Sequence, residues 1–113
     1  PATAADPVIG HLESPISLFQ WHTDHYELPP RAELLASGAS YPNQAFRIDR
    51  TVYGMQFHFE VTRSLVESQI EETPGFENDV PGYRDWLPTQ FSVHEEASNN
   101  FCRDLIRNWV ALI

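Results

Sequence analysis

Four short apolar runs, each bounded by turn-forming residues, constrain the fold of this chain most strongly. Their length and their aromatic and branched side chains favour β-strands over helices, and they are Ile16–His22, Ala32–Ser37, Gln44–Ile48 and Thr51–Phe57. The last two flank Asp49-Arg50, which predicts a hairpin even though the usual turn glycine is missing. The paired prolines Pro29-Pro30 predict a loop over residues 23–31 because they break both regular structures.

The second half of the chain carries helical signals. Thr62 is a predicted N-cap for a helix over Arg63–Glu72, which Pro74-Gly75 would end. Ser92–Glu95 fits a capping box, so a last helix is predicted to begin there. Its apolar residues recur at helical spacing and predict a core-facing stripe of Phe101, Leu105, Ile106, Trp109, Val110 and Ile113. Turn-forming residues predict irregular structure over 76–90, and residues 1–15 read as a loop or an unfinished element.

Length and charge exclude several classes of function. With 113 residues the chain fits one domain, and its net charge of −9 argues against general nucleic-acid binding and against anionic membranes. A single cysteine, Cys102, cannot form an internal disulfide and favours a reducing compartment. The sequence has no apolar stretch of membrane-spanning length and no visible signal peptide, so we expect a cytoplasmic location. No cofactor and no metal are predicted.

His58 and Glu60 are the candidate catalytic residues. They lie where a predicted strand ends before a predicted helix, and alternation along a strand would place both side chains on one face. A carboxylate there can accept the Nδ1–H of the imidazole and leave the other ring nitrogen free to act as a base. By itself, however, H-x-E more often marks a solvated surface pair.

Four blocks in order resemble class I glutamine amidotransferases. Gln56–Val61 (QFHFEV) closely resembles the family's Q-F-H-P-E-V signature, and Phe19–Asp24 resembles its W-H-x-D segment. Pro29-Pro30 followed by Leu34–Ser37 resembles P-P-G-x-x-x-L-A-S, and Tyr41–Arg47 resembles the Y-x-N-Q-A-F-R of the subgroup typified by the glutaminase of GMP synthase. The resemblance spans residues 19–61, while residues 62–113 match no motif.

The resemblance implies an α/β fold: the C-terminal part of a flavodoxin-like three-layer sandwich, with residues 1–113 forming one portion of a single domain. It implies hydrolysis of the glutamine side-chain amide by a Cys-His-Glu triad, with His58 as general base and acid and Glu60 orienting it. His22 and Asp24 would line the substrate pocket. The implied partners are glutamine or a related amide, the N-terminal portion of the same domain, and an ammonia-accepting synthase.

Two departures from the family pattern bear on activity. Phe59 stands where the family has proline, which preserves the spacing of His58 and Glu60. The nucleophile motif G-x-C-x-G-x-Q is absent from this sequence. Cys102 lies in a predicted amphipathic helix rather than a glycine-rich turn, so we expect an inert thiol. The chain alone is therefore expected to be an inactive portion of a longer polypeptide that supplies the cysteine.

Three other functions remain open from the sequence. His22, His25, His58 and Glu60 could ligate a metal ion in a binding module. An amidotransferase-like scaffold that has lost its nucleophile could bind a partner or a metabolite. A hydrolase of γ-glutamyl compounds could share the fold and the triad.

Overall fold

A three-stranded antiparallel sheet forms the centre of the computed structural model, which describes residues 2–22 and 24–113. Strands β1 (Ala32–Ala36), β2 (Ala45–Ile48) and β3 (Val52–Met55) lie in that order, with β2 paired to both neighbours. The predicted hairpin is confirmed. Its turn needs no glycine because Asp49 adopts the left-handed conformation (φ 53°), which aspartate tolerates better than most residues.

Four helices accompany the sheet in the described part of the chain: α1 (Ala2–Ala5), α2 (Arg63–Glu71), α3 (Phe76–Asp79) and α4 (Tyr83–Val110). Helix α2 confirms its prediction, since the Thr62 side chain accepts a hydrogen bond from the Leu65 backbone N–H. Its buried face consists of Val66 and Ile70. The prediction of a loop over residues 24–31 is also confirmed, whereas Thr23 lies outside the described residues.

Helix α4 begins at Tyr83, about two and a half turns earlier than predicted. The expectation of irregular structure over residues 76–90 was wrong, and so was the capping box at Ser92, which lies inside the helix and donates to the Pro88 carbonyl. Pro88 is tolerated in the second turn because Tyr83 and Phe91 are buried on either side of it. Tertiary burial therefore outweighs the cost of one missing backbone donor.

Two further predictions need correction. Ile16–His22 does not form a regular strand; it is extended and makes one isolated bridge, between Phe19 and His58. The stripe on the last helix faces the core only in part, since Phe101 and Leu105 are buried while others are about half exposed or more. These exposed members of the predicted stripe are Ile106, Val110 and Ile113.

The opening segment is bound to the sheet through a buried carboxylate. The Asp6 side chain is fully buried, and its Oδ1 accepts hydrogen bonds from the backbone N–H groups of Val8 and Ile9. Its Oδ2 lies 2.8 Å from Nη1 of Arg47 on β2, and the Tyr53 hydroxyl on β3 donates to the same carboxylate. Asp6 therefore links α1 to two strands.

The hydrophobic core consists of two clusters of buried residues. The first lies between the sheet, the opening segment and the later part of α4; its members include Val8, Leu35, Phe57 and Leu105. The second joins α2 to the start of α4 and is partly covered by Phe19, Trp21 and Val61. Residues 57–61 run from one cluster to the other, so both clusters hold the segment that carries His58 and Glu60.

Sheet and helices together agree with the predicted α/β class. All three strands of the described chain are antiparallel, so the parallel, flavodoxin-like arrangement stays a prediction. Among the described residues, no helix combines the length and the apolar character that crossing a membrane requires.

Candidate functional site

The site lies on the segment that connects β3 to α2. His58 follows the end of β3 and is fixed by the isolated bridge, in which its backbone N–H donates to the Phe19 carbonyl at 2.7 Å. The Phe19 ring lies beside the imidazole, with 6.4 Å between ring centroids. An extended segment and an aromatic neighbour therefore position His58.

The predicted contact between His58 and Glu60 is present. Nδ1 of the imidazole lies 2.7 Å from Oε1 of the carboxylate, a hydrogen-bond distance. Strand alternation is not its cause, since both residues lie beyond Met55, the last residue of β3. Both side chains reach solvent, with exposed fractions of 36% for His58 and 55% for Glu60.

The local environment favours an ionised Glu60. Partial burial opposes the charge, but hydrogen bonds from His58 and from the backbone, together with the attraction of the imidazole, outweigh it and lower the pKa of the carboxyl. An ionised carboxylate can only accept hydrogen bonds, so the ring nitrogen that contacts it, Nδ1 of His58, is the one that donates. The arrangement can hold a histidine ring in one orientation and one tautomer.

Phe59, which stands where the Q-F-H-P-E-V signature has proline, has a packing role. Its ring lies between those of Phe57 and Phe101, with centroid distances of 5.8 Å and 6.1 Å. The phenyl side chain therefore anchors the middle of the His58–Glu60 segment on α4. The departure preserves the geometry of the pair.

His22 and Asp24 lie on a neighbouring segment that also contacts this one. The Asp24 backbone carbonyl accepts a hydrogen bond from Nε2 of Gln56 at 3.3 Å and lies 2.8 Å from Nδ1 of His22. The other ring nitrogen of His22 lies 2.8 Å from Oε1 of Gln20. Asp24 itself is exposed, and the roles of His22 and Asp24 in substrate binding stay a prediction.

Cys102 does not have the environment of an activated nucleophile. It lies within α4 and is half-buried. Burial and the negative charge of Glu60 raise the pKa of the thiol, against a smaller opposing effect of Arg103. A thiol that resists ionisation is a poor nucleophile.

The side chains considered as metal ligands do not assemble into a site. Within residues 2–22 and 24–113, no three His, Cys, Asp or Glu side chains are grouped so that they could hold an ion. His22 and His25 instead lie against the Tyr41 ring, at centroid distances of 4.7 Å and 6.0 Å.

Sequence reasoning missed two features near the site. A cavity of about 280 Å³ lies between the segment around Phe19 and α4, and it is lined by Trp86, His94 and Glu95 among others. Its α4 wall includes Trp86, which lies in the stretch that was predicted to be irregular. The second feature is a set of glutamine side chains, at positions 20, 44 and 56, that joins the segments around the site. They stood inside the recognised blocks, but nothing local indicated their mutual contacts.

Comparison with known proteins gives one informative relative. A protein of Salmonella typhimurium (strain LT2), provisionally named glutamine amidotransferase-like protein YfeJ, is 35% identical over 78 residues. The match covers 69% of this chain and 33% of the relative, so it spans about a third of the relative's length. No protein-family model matches the chain. The similarity supports a relationship with glutamine amidotransferase-like proteins.

Proposed function

We propose that this chain is the histidine- and glutamate-bearing portion of a class I glutamine amidotransferase domain that hydrolyses the side-chain amide of glutamine. The observation that carries the proposal is the 2.7 Å contact between Nδ1 of His58 and Oε1 of Glu60. The similarity to an amidotransferase-like protein and the four sequence blocks support it. The GMP synthase-like subgroup and the flavodoxin-like sandwich belong to the same proposal.

His58 has the base role in this reaction. With Nδ1–H donated to Glu60, Nε2 accepts the proton of a cysteine thiol, and the thiolate attacks the amide carbon of glutamine. The imidazolium then gives its proton to the departing nitrogen, so that ammonia leaves and a γ-glutamyl thioester remains. Water attacks the thioester with His58 again taking a proton, which releases glutamate and restores the thiol.

The nucleophile comes from outside the described residues in this proposal. Cys102, with its raised thiol pKa and its place inside α4, is unsuited to the role. We infer that an N-terminal portion of the same domain supplies the cysteine and the backbone N–H groups that stabilise the oxyanion. A synthase domain or subunit would accept the ammonia.

His22 and Asp24 line the glutamine pocket in this account. The exposed Asp24 carboxylate suits the positively charged α-amino group of the substrate, and His22 contacts the backbone carbonyl of Asp24. Gln56 ties Asp24 to the segment of His58, which keeps substrate and base in a fixed relation. Such fixed placement is a main source of rate enhancement.

Glutamine-dependent ammonia release by the full polypeptide that carries this chain tests the proposal. His58→Ala is expected to lower kcat by about 100-fold or more, the usual contribution of a positioned base, and Glu60→Ala by less. His11→Ala, which removes an exposed histidine of the opening turn, is the matched control and should retain full activity. The 113-residue chain alone should release no ammonia. Undiminished release by His58→Ala would overturn the proposal.

Labelling with an electrophilic glutamine analogue identifies the nucleophile. The label is expected on a cysteine outside this chain, and modification of Cys102 would contradict the assignment. Hydrolysis of γ-glutamyl peptides without glutamine turnover would instead indicate the related hydrolase. Absence of both activities would favour a binding scaffold.

A further inference from the structure

A row of polar side chains leads from a buried glutamine to His22. Gln44 Nε2 donates to the Tyr41 backbone carbonyl at 2.8 Å, and Gln44 Oε1 accepts from Gln20 Nε2 at 3.1 Å. Gln20 Oε1 in turn lies 2.8 Å from Nε2 of the His22 ring. We call Gln44, Gln20 and His22 the glutamine relay.

The relay begins at a fixed point. Gln44 is only 6% exposed, and its backbone N–H donates to the Ala36 carbonyl at 3.0 Å, at the end of β1. Its own carbonyl accepts from the backbone N–H of Gln56 at 2.8 Å. Backbone on both sides therefore holds Gln44 in place, whereas Gln20 and His22 extend toward solvent.

The contact with the Tyr41 carbonyl fixes which atoms of the relay donate and which accept. The Tyr41 carbonyl can only accept, so Gln44 must present its amide nitrogen there and its oxygen to Gln20. Gln20 must then present its nitrogen to Gln44 and its oxygen to His22. Nε2 of His22 is therefore a donor, and the opposite nitrogen faces another acceptor, the Asp24 carbonyl. A neutral imidazole carries one ring proton, so it can donate to only one of these two acceptors at a time.

We propose that Gln44 is a positioning residue that acts through Gln20 to orient His22 and, through it, the backbone of Asp24. The functional consequence rests on the proposed glutamine pocket, whereas the orientation of the ring does not. The Tyr41 ring packs edge-on against the imidazole at 4.7 Å and has His25 beside it at 6.0 Å, which limits rotation of His22.

Removal of the relay should weaken substrate binding more than the chemical step. Gln44→Met keeps the length of the side chain and removes both of its side-chain hydrogen bonds, each of which makes a modest net contribution. In the full polypeptide we expect KM for glutamine to rise about 3- to 10-fold while kcat stays within about twofold. Gln20→Met, at an exposed position, should have the same effect, and Gln69→Met on the exposed face of α2 should have none.

Proton NMR of the 113-residue chain tests the orientation without any assay of activity. Wild type should give a low-field ring N–H signal of His22 that survives exchange with water, and Gln44→Met and Gln20→Met should lose it. Gln69→Met should retain the signal. An unchanged His22 signal in both relay variants, or a loss of kcat at constant KM, would overturn the inference. Failure of wild type to hydrolyse glutamine would refute only the proposed function, because the NMR result stands independently.

Discussion

Replacement of Asp6 by asparagine should destabilise the fold far more than its position in a short opening segment suggests. Asparagine can keep the carbonyl oxygen that accepts from the backbone N–H groups of Val8 and Ile9. Its amide nitrogen, however, would replace Oδ2 and face Nη1 of Arg47, donor against donor, at a site where the carboxylate now lies at 2.8 Å. The substitution therefore removes the buried ion pair while it keeps the hydrogen bonds to the backbone.

The burial of the ion pair between Asp6 and Arg47 sets the expected loss in free energy of unfolding. Breaking a buried pair by removing one partner costs about 3–5 kcal/mol. Arg47 retains Glu33 as a partner and is one-fifth exposed, so we expect the low end, about 3 kcal/mol for Asp6→Asn. Asp6→Ala also orphans the two backbone donors and should cost about 4–5 kcal/mol. A domain of this size has only about 5–15 kcal/mol in total, so either change is large.

Urea unfolding of the 113-residue chain, followed by far-UV circular dichroism and tryptophan fluorescence, measures these values. Asp49→Asn is the matched control: it removes an equally charged partner of an arginine, but at an exposed pair, and asparagine tolerates the left-handed backbone. Its cost should stay below about 1 kcal/mol. If Asp6→Asn and Asp49→Asn differ by less than about 0.5 kcal/mol, the reasoning on burial is refuted.

Three further outcomes are expected. The fold lowers the pKa of Glu60 below its ordinary value of about 4.5, so its contact with His58 contributes stability above that pH, and this stability is lost as the pH falls through the lowered value. Because Glu60 is half exposed, the effect is small. Glu60→Gln should flatten the acid limb of a curve of stability against pH, and an unchanged limb would count against the contact. Burial raises the pKa of the Cys102 thiol, so iodoacetamide should alkylate it more slowly than free cysteine at about pH 8, and an equal or faster rate measured by mass spectrometry would contradict its inert character. A Cβ at Gly54 would collide with the Phe46 ring, so Gly54→Ala should lower the free energy of unfolding by about 1–3 kcal/mol in the same urea assay. Adding Phe46→Leu should recover part of the lost stability. Full tolerance of Gly54→Ala would show that the ring does not cover the glycine.

Local signals predicted the parts of the structure that local interactions determine. The hairpin around Asp49-Arg50 and the helix capped by Thr62 follow from apolar runs, turn residues and a capping side chain within a few positions. The contact of His58 with Glu60 was likewise predictable because only one residue separates the partners.

The features that the sequence did not indicate depend on contacts between residues that are distant in the chain. Turn-forming residues predicted irregular structure over 76–90, yet α4 begins at Tyr83 and continues through Pro88, with Tyr83 and Phe91 buried. No local pattern around Asp6 indicated that its carboxylate would form an ion pair with Arg47 on β2. The relay beginning at Gln44 also joins segments that are distant in sequence.

The tautomer of the His58 ring is the most direct test that Glu60 prepares this histidine to act as a base. At about pH 9, where histidine side chains are ordinarily neutral, ring ¹⁵N chemical shifts distinguish a proton on Nδ1 from one on Nε2. We predict the Nδ1–H form in wild type, with Nε2 unprotonated, and loss of that preference in Glu60→Ala. A wild-type ring that carries its proton on Nε2 would contradict the role of His58 as the oriented base.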